Sequence, residues 1–439
     1  MMLSGWGRFP RAECQLIEPR SREEVVAAIV ASKNLIGRGN GRSYGDSALN
    51  SEMTLGMCSC GAILDFDHRT GRVTCEGGTL LAAIIERFVP LGWFPPVTPG
   101  TKFVTIGGMI AADVHGKNHH GTGSFGTHIE NLELALADGR VARCSHDENG
   151  ELFAATCGGM GLTGVILQAT FRMIPIQTRF VRQETVRVHS LHEAMARFEE
   201  SENWSYSVAW LDCLATGPAL GRSLLFRGEH ATFAEIRGLG RDGTLAMPSN
   251  RPWRVPIDFP PLVLNTWTTR AFNALYYHRA RPGVAFVDIE EFFYPLDAIL
   301  DWNRIYGRSG FFQYHCLLPK SASLAGLSAI LEKIRAAGSG SFLSVLKLFG
   351  KQEGLLSFPK EGYTLALDFP VNRANLGLAD ELDAIVADHS GSIYLAKDAR
   401  MSPKMMRLSY PELERFHAIR AAVDPGRKFT SIQSCRLDI

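Results

Sequence analysis

"PGTKFVTIGGMIAADVHGKNHHGTGSFG" spans Pro99–Gly126 and decides how the rest of the chain is read. It holds seven glycines and three histidines, and only Lys102, Asp113 and Lys117 are otherwise charged. So much bare backbone suits a turn, a metal cluster or the close approach of a ligand. Thr105 stands where an N-cap belongs, and "IGGMIAADV" behind it has helical spacing as far as Gly116. A helix start carries unpaired N–H groups and a partial positive charge, so phosphate binding is one reading of Gly107 and Gly108. Each glycine costs a helix roughly 1 kcal/mol relative to alanine, so close approach is favoured over helix strength. Tight packing of the helix on a strand is the other reading, and both stand. We assign no metal. His115, His119 and His120 lack carboxylate or cysteine partners at ligand spacing, and Gly116 breaks the helix that would align His115 with His119.

Working outward, "LIGRGNGRSYGDSALN" starts as a strand and runs into four glycines between Gly37 and Gly45. Before it, Ser21 caps the helical "SREEVVAAIVASKN". "AILDFD" and "RVTCEG" flank the polar turn "HRTG" as paired strands, and "TLLAAIIERFVPLG" is an amphipathic helix stopped near Pro90. After the opening segment, "HIENLELALADGRVARCS" is a hairpin signal about Asp138-Gly139. "GMGLTG" (Gly159–Gly164) satisfies G-x-G-x-x-G. However, a helical "ELFAAT" precedes it and the alternating "VILQATFRM" follows, the reverse of the strand-then-helix context a dinucleotide fingerprint needs.

A chain of 439 residues calls for two or three domains. With Lys plus Arg at 46 and Asp plus Glu at 45, there is no basic excess of the kind nucleic-acid binding uses. The nine cysteines lack paired spacing, apart from Cys58 and Cys60, and read as reduced thiols. "MMLSGWGRFPRAECQ" lacks the apolar centre of a signal peptide, and no run of about 18 apolar residues exists. The expectation is a cytoplasmic protein. "FPPLVLNTWTTRAFNALYY" (Phe259–Tyr277), apolar, aromatic and poor in charge, is either a surface for a membrane or lipid tail or a core helix. The texture changes near Thr178, where glycine clusters give way to aromatics. The expected division is 1–178, 179–391 and a returning segment 392–439.

"GRGNGRSYGD", the opening segment and "GGMGLTG", in this order and spacing, resemble the vanillyl-alcohol-oxidase type (PCMH type) of FAD-binding flavoenzymes. "SGWGR", "FFYPLDAILDWNRIYGRSGFFQYHCLLP", "LKLFG", "LALDFP", "YLAKDAR" and "VDPGRKF" narrow the resemblance to the polyprenyl-phosphoryl ribose oxidases within that family. These form the flavoprotein half of a two-enzyme ribose-to-arabinose 2'-epimerase used in cell-wall polysaccharide biosynthesis. The resemblance implies an α+β fold, with a two-subdomain FAD-binding domain and a mixed α+β substrate (cap) domain over the isoalloxazine.

It also implies residue roles. Gly39, Asn40, Gly41, Arg42, Ser43 and Tyr44 form the pyrophosphate loop. Gly100, Thr101, Thr105, Ile106, Gly107 and Gly108 bind phosphates and ribityl chain. Ala112, Asp113, Val114 and His115 line the flavin, Ile166 the adenine side, and Tyr394 and Lys397 return to the flavin from the far end. Lys397 supplies charge near the pyrimidine edge; read without the family it would be a surface ion pair with Asp398. Gln313, His315 and Lys347 are expected to hold the sugar-phosphate, and the base is His315, Lys397 or a water. In relatives with covalent FAD a histidine occupies the position of Arg42, so non-covalent FAD is expected. Ala366 replaces a cysteine and His315 a glutamine of the ribose oxidases.

The implied activity is oxidation of the C2' hydroxyl of a polyprenyl-phosphoryl ribose to the 2'-keto sugar, with a separate NAD(P)H-dependent keto-reductase completing epimerisation. An aldonolactone or alditol oxidase acting on a soluble sugar, and a non-catalytic FAD-binding protein, are the alternatives. No nucleic-acid partner is expected, and peripheral membrane contact is.

Overall fold

A computed structural model describes residues 1–240, 242–247, 252–260 and 263–439. Pro261 and Leu262, within the apolar stretch Phe259–Tyr277, lie outside the described residues.

The first part of the chain is organised by a three-stranded and a five-stranded sheet, with two further strand pairs, Met2–Ser4 with Arg11–Glu13 and Trp93–Phe94 with Ile174–Pro175. A parallel sheet sets Leu16–Ile17 and Ile36–Arg38 on either side of Thr54–Gly56. An antiparallel sheet runs in the spatial order Val141–Cys144, Ile129–Ala135, Val165–Arg172, Arg72–Glu76, Ile63–Asp67. Ser21 caps the helix Arg22–Ala31 by accepting the Glu24 N–H, and Leu81–Phe88 buries its apolar stripe of Leu81, Ile84, Ile85 and Phe88. "GMGLTG" follows the helix Gly150–Thr156 and leads into the strand Val165–Arg172, the inverted context read from the sequence.

The helix behind Thr105 is shorter than its spacing suggests. It covers Ile106–Ala111 and stops at Ala112. The reason lies in the next residue. Asp113 takes a positive φ of 39°, and its buried carboxylate accepts the Gly126 N–H at 3.0 Å, the Gln352 amide at 2.8 Å and the Ser357 hydroxyl. Three distant donors hold residue 113 out of the helix and turn the chain toward His115.

The second part is dominated by one antiparallel sheet of eight strands. Its order is Gly283–Asp288, Phe180–Val188, Ser223–His230, Tyr206–Leu211, Ser344–Phe349, Gly362–Pro370, Phe311–Pro319, Ser392–Ile393. The helices Ser323–Ala337 and Arg373–Asp388 pack on one another and on Phe311–Pro319. The uncovered face of the central strands looks into a large cavity shared with the first part of the chain.

Thr266–Arg279 is not a core helix. Its inward residues are Thr269, Asn273 and Tyr277; Asn273 donates to Asp212 at 2.9 Å, and the Tyr277 hydroxyl donates to the Val188 carbonyl at 3.0 Å. Its outward residues are apolar: Trp267 is 79% exposed and Leu275 60%, with Phe272 and Tyr276 also exposed. The usual amphipathic arrangement is turned inside out.

After the helix Leu413–Val423 the chain returns to its beginning. Leu35 N–H donates to the Lys428 carbonyl at 2.9 Å and the Thr430 N–H to the Leu35 carbonyl at 3.0 Å. Arg436 then reaches between Asp46 and Asp398, 2.8 Å from each.

Candidate active site

The cavity has a volume of about 820 Å³ and draws its walls from the glycine loop, the Pro99–Gly126 segment, the eight-stranded sheet and the Tyr394–Lys397 turn. Its first wall is a backbone cradle. Gly41 takes a φ of 63°, and among the described residues the amides of Asn40, Gly41, Arg42 and Ser43 have no acceptor, nor do those of Gly100 and Thr101. Successive free N–H groups in a left-handed turn make an anion-binding concavity. A Cβ on Gly39 would collide with the Thr105 hydroxyl, and one on Gly77 with the Ile166 carbonyl. This cradle suits a pyrophosphate, and a dinucleotide-sized cavity opens directly from it.

The helix start itself is a different matter, and here the phosphate reading of the sequence is corrected. Ile106 N–H donates to the Thr79 carbonyl at 2.9 Å, Gly107 N–H to the Gly77 carbonyl at 2.7 Å, and Gly108 N–H to Thr105 Oγ1 at 3.2 Å. Those first-turn donors are spent inside the protein and hold no anion. Gly107 is bare because the Gly77 carbonyl would stand 2.9 Å from its Cβ. Of the expected cofactor residues, Ile106 and Asp113 do not line the cavity. Ile106 lies in the core, and the Asp113 carboxylate is occupied by Gly126, Gln352 and Ser357. All the other expected cofactor and substrate residues do line it.

The three histidines of the opening segment diverge. His119 Nε2 meets Gln352 Oε1 at 2.8 Å and His120 Nε2 meets the Trp204 carbonyl at 2.8 Å, while His115 sits among Phe349, Phe358, Tyr394 and His315. No three His, Cys, Asp or Glu side chains among the described residues are grouped to hold a metal.

Opposite the cradle, three neighbouring strands present a row of side chains. Lys347 pairs across the sheet with Thr364, His315 with Ala366, and Gln313 with Asp368. Alternation puts Gln313 and His315 on one face of their strand, and Thr364, Ala366 and Asp368 on one face of theirs. Thr364 donates its hydroxyl proton to the Cys316 carbonyl at 2.9 Å, so its oxygen accepts the Nε2–H of His315 at 2.8 Å. That leaves the His315 lone pair on Nδ1, which is buried without a partner, as is Nδ1 of His115. Burial first and the nearby Lys347 second hold both imidazoles well below their ordinary pKa, so both are neutral at pH 7.

The positive charge of the site belongs to lysines. Lys397 rests its ammonium 3.7 Å above the centre of the Tyr44 ring and has no ion-pair partner among the described residues. Its sequence neighbour Asp398 is engaged by Arg436 and Gln433, which removes the surface ion pair as an account of Lys397. Burial pushes Lys347 down to about 8. Lys117 is pushed to about 7, by burial first and Lys347 second, and its ammonium donates to the Phe292 carbonyl. Tyr394 donates to the Ala112 carbonyl at 2.8 Å and stacks on Phe358 at 4.6 Å, fixing the turn that carries Lys397.

Sequence reasoning passed over Lys117, Asp368 and Trp6. Lys117 lies two residues beyond His115. Asp368 lies two beyond Ala366 on a strand, hence on the same face. Trp6 stacks against the Arg42 guanidinium at 4.0 Å. Each sat inside a quoted motif, but only the pairing of distant strands shows that it belongs here.

An FAD binding domain profile matches residues 15–145. The decaprenylphosphoryl-beta-D-ribose oxidase of Mycolicibacterium smegmatis is 34% identical over 100% of this chain and 97% of its own. An uncharacterised Streptomyces coelicolor protein is 35% identical over 82% of this chain and 100% of its own. The L-gulonolactone oxidase of Bos taurus is 31% identical over 40% of each chain. With FAD as the group its cradle and cavity fit, this chain is an FAD-dependent oxidoreductase and belongs to the decaprenylphosphoryl-beta-D-ribose oxidase family.

Proposed function

We propose that this chain oxidises the C2' hydroxyl of a polyprenyl-phosphoryl ribose to the 2'-keto sugar, the first half of an epimerisation to the arabinose form. The observation that carries this is a single cavity that brings Gln313 and Lys347 of the large sheet and Lys397 of the returning turn together with the cofactor cradle, in a chain alignable end to end with a ribose oxidase. FAD held in this cavity would supply the two-electron acceptor for the oxidation, and the protein would position the carbinol and take up its hydroxyl proton. The loop Gly39 to Tyr44, with Gly100 and Thr101, would hold the cofactor's pyrophosphate on the free amides of Asn40, Gly41, Arg42, Ser43, Gly100 and Thr101 and on the left-handed turn at Gly41. Arg42 replaces a linking histidine, so FAD is held non-covalently. Lys347 and Lys117 carry the charge that receives the sugar's phosphate. Gln313 orients a sugar hydroxyl, and Lys397 steadies negative charge that develops as the proton leaves.

Removal of hydride from one face of C2' cannot by itself invert that carbon. A separate NAD(P)H-dependent keto-reductase, returning hydride to the other face, completes the epimerisation. The cavity reaches outward to Phe272, Tyr276 and Ile299, beside the inside-out helix. Residues 259–287 contain no acid and include Arg270, Arg279 and Arg281. An apolar rim with basic side chains suits an anionic lipid surface, where a polyprenyl tail would remain while the sugar enters. No described helix is long and apolar enough to cross a membrane.

The test is anaerobic flavin bleaching with polyprenyl-phosphoryl ribose, free ribose and aldonolactones in parallel, with acid precipitation of the protein beforehand. Bleaching by the lipid-linked sugar alone, a keto product without arabinose, and FAD entirely in the acid supernatant are expected. Bleaching by lactones instead would move the assignment to the soluble-sugar oxidases.

A further inference from the structure

Asp368 is an acidic side chain paired across the sheet with Gln313 of the substrate row, and the mechanism above does not use it. It is 1% exposed, does not line the cavity, and has no lysine or arginine within ion-pair distance among the described residues. Its carboxylate accepts the Gln313 amide N–H at 2.6 Å and the Tyr306 hydroxyl at 3.5 Å, and its backbone N–H donates to Ser341 Oγ at 3.0 Å. Gln313 is its direct cross-strand partner, and the Tyr44 ring under the Lys397 ammonium packs edge-on against Phe311, on which Tyr306, the other partner of Asp368, stacks.

We propose that Asp368 is the positioning residue of the oxidation site, orienting Gln313 toward the substrate and serving as the buried counter-charge of Lys397. This rests on the reading of the cavity as the flavin and sugar site. The first half of the argument is hydrogen-bond arithmetic. In its ionised form the Asp368 carboxylate, which burial raises and Gln313, Lys397 and Tyr306 hold down, only accepts, so Gln313 then presents its NH₂ to Asp368, and its carbonyl oxygen is the end left for the cavity. A glutamine without that partner is free to flip. The flip decides whether the cavity offers a sugar hydroxyl an acceptor or a donor.

The second half is charge. Lys397 is faced by Asp368 from Gly362–Pro370, by Lys347 from Ser344–Phe349, by the neutral His315 from Phe311–Pro319, by the neutral His115 from the segment after the Ile106–Ala111 helix, and by Tyr44 from the glycine loop. Burial pulls the Lys397 ammonium toward losing its proton and Lys347 adds repulsion, whereas Asp368 opposes both. Burial likewise raises Asp368, with Gln313, Lys397 and Tyr306 opposing that rise. A lysine keeps its charge below its pKa and loses it as pH rises through that value. Without the Asp368 charge, Lys397 therefore becomes neutral at a lower pH.

The experiment is a pH titration of the visible absorption of bound flavin in the purified holoenzyme, with no substrate present. Single-turnover flavin reduction by substrate is followed over the same range. Wild type is expected to show a transition that Lys397→Met lacks. Asp368→Asn is expected to retain FAD and move the transition down by about one pH unit or more, the size of an adjacent opposite charge. The alkaline limb of the reduction rate should move with it. A rate lowered equally at every pH, with the midpoint unmoved, overturns the proposal, as does a wild type without the transition. Should Asp368→Asn fail to hold FAD, Asp368→Glu decides. It keeps the charge, so its midpoint should stay within about half a unit of wild type; a fall of about a unit overturns the proposal. The spectral midpoint needs no sugar, so a wrong substrate assignment would leave this result standing.

Discussion

Lys397 shows how much a single position depends on its surroundings. In sequence it precedes an aspartate, which suggests a solvated ion pair worth little. In the fold that aspartate is engaged elsewhere, and the lysine is laid over an aromatic ring in a cavity. Lys397→Ala is expected to leave FAD content and folding unchanged while slowing flavin reduction by about 10²–10³, the loss usual for one positioned electrostatic group. Stopped-flow absorbance checks this, and an unchanged rate would remove Lys397 from the chemistry. The glycine motifs were legible because only glycine fits where the backbone turns left-handed or another backbone presses close, as at Gly41 and Gly77. The use of the bare backbone was less legible. Nothing in "TIGG" says that the first-turn amides meet Gly77 and Thr79 rather than a phosphate, because those partners arrive from about thirty residues earlier in the chain.

At the scale of elements, periodicity identifies faces without saying which way they point. Thr266–Arg279 has a polar set at Thr269, Asn273 and Tyr277 and an apolar set around Trp267, Phe272, Leu275 and Tyr276; either could be buried in principle. Asp212 and the Val188 carbonyl settle the matter by offering buried partners to the polar set. Leaving an asparagine and a tyrosine hydroxyl unpaired there would cost about 1–3 kcal/mol each. The double variant Trp267→Ser/Leu275→Ser is therefore expected to change the melting temperature little. It should weaken co-sedimentation with phosphatidylglycerol-containing vesicles several-fold. Unchanged binding would dissociate this helix from the membrane. The Ile106–Ala111 helix makes the complementary point. Its spacing continues to Val114, but the tertiary hold on Asp113 stops it early, and that hold involves Gln352 and Ser357 from a distant segment.

At the scale of the molecule, the strand order of the large sheet lay beyond what the sequence alone could say. Tyr206–Leu211 pairs with Ser344–Phe349, and Phe311–Pro319 with Gly362–Pro370 and Ser392–Ile393, across separations that local patterns do not encode. Asp368 was missed for the same reason, since it matters only once Gln313 stands opposite it. The return of the chain's last part was legible through the family resemblance, while its attachment was not. Phe429, Leu437 and Ile439 are buried, and Arg436 sits between Asp46 and Asp398, whose side chains are 1% and 2% exposed. Removing one member of such a buried ionic group typically costs about 3–5 kcal/mol. A chain lacking residues 428–439 is expected to be purified without FAD and to melt well below the full chain. A yellow, cooperatively folding truncation would show the return to be dispensable.

That seam has a consequence for how the protein is born. Chains emerge from the ribosome N-terminal end first, at about 5–20 residues per second, and domains tend to fold as they appear. Here the strand Ile36–Arg38 is among the first to emerge, yet Leu35 waits for Lys428 and Thr430, and Asp46 for Arg436. The glycine loop lies between those two waiting points, so it cannot take its final form until residue 436 has been made. FAD loading is therefore expected to wait until residue 436 has left the ribosome, however early the glycine loop itself is made.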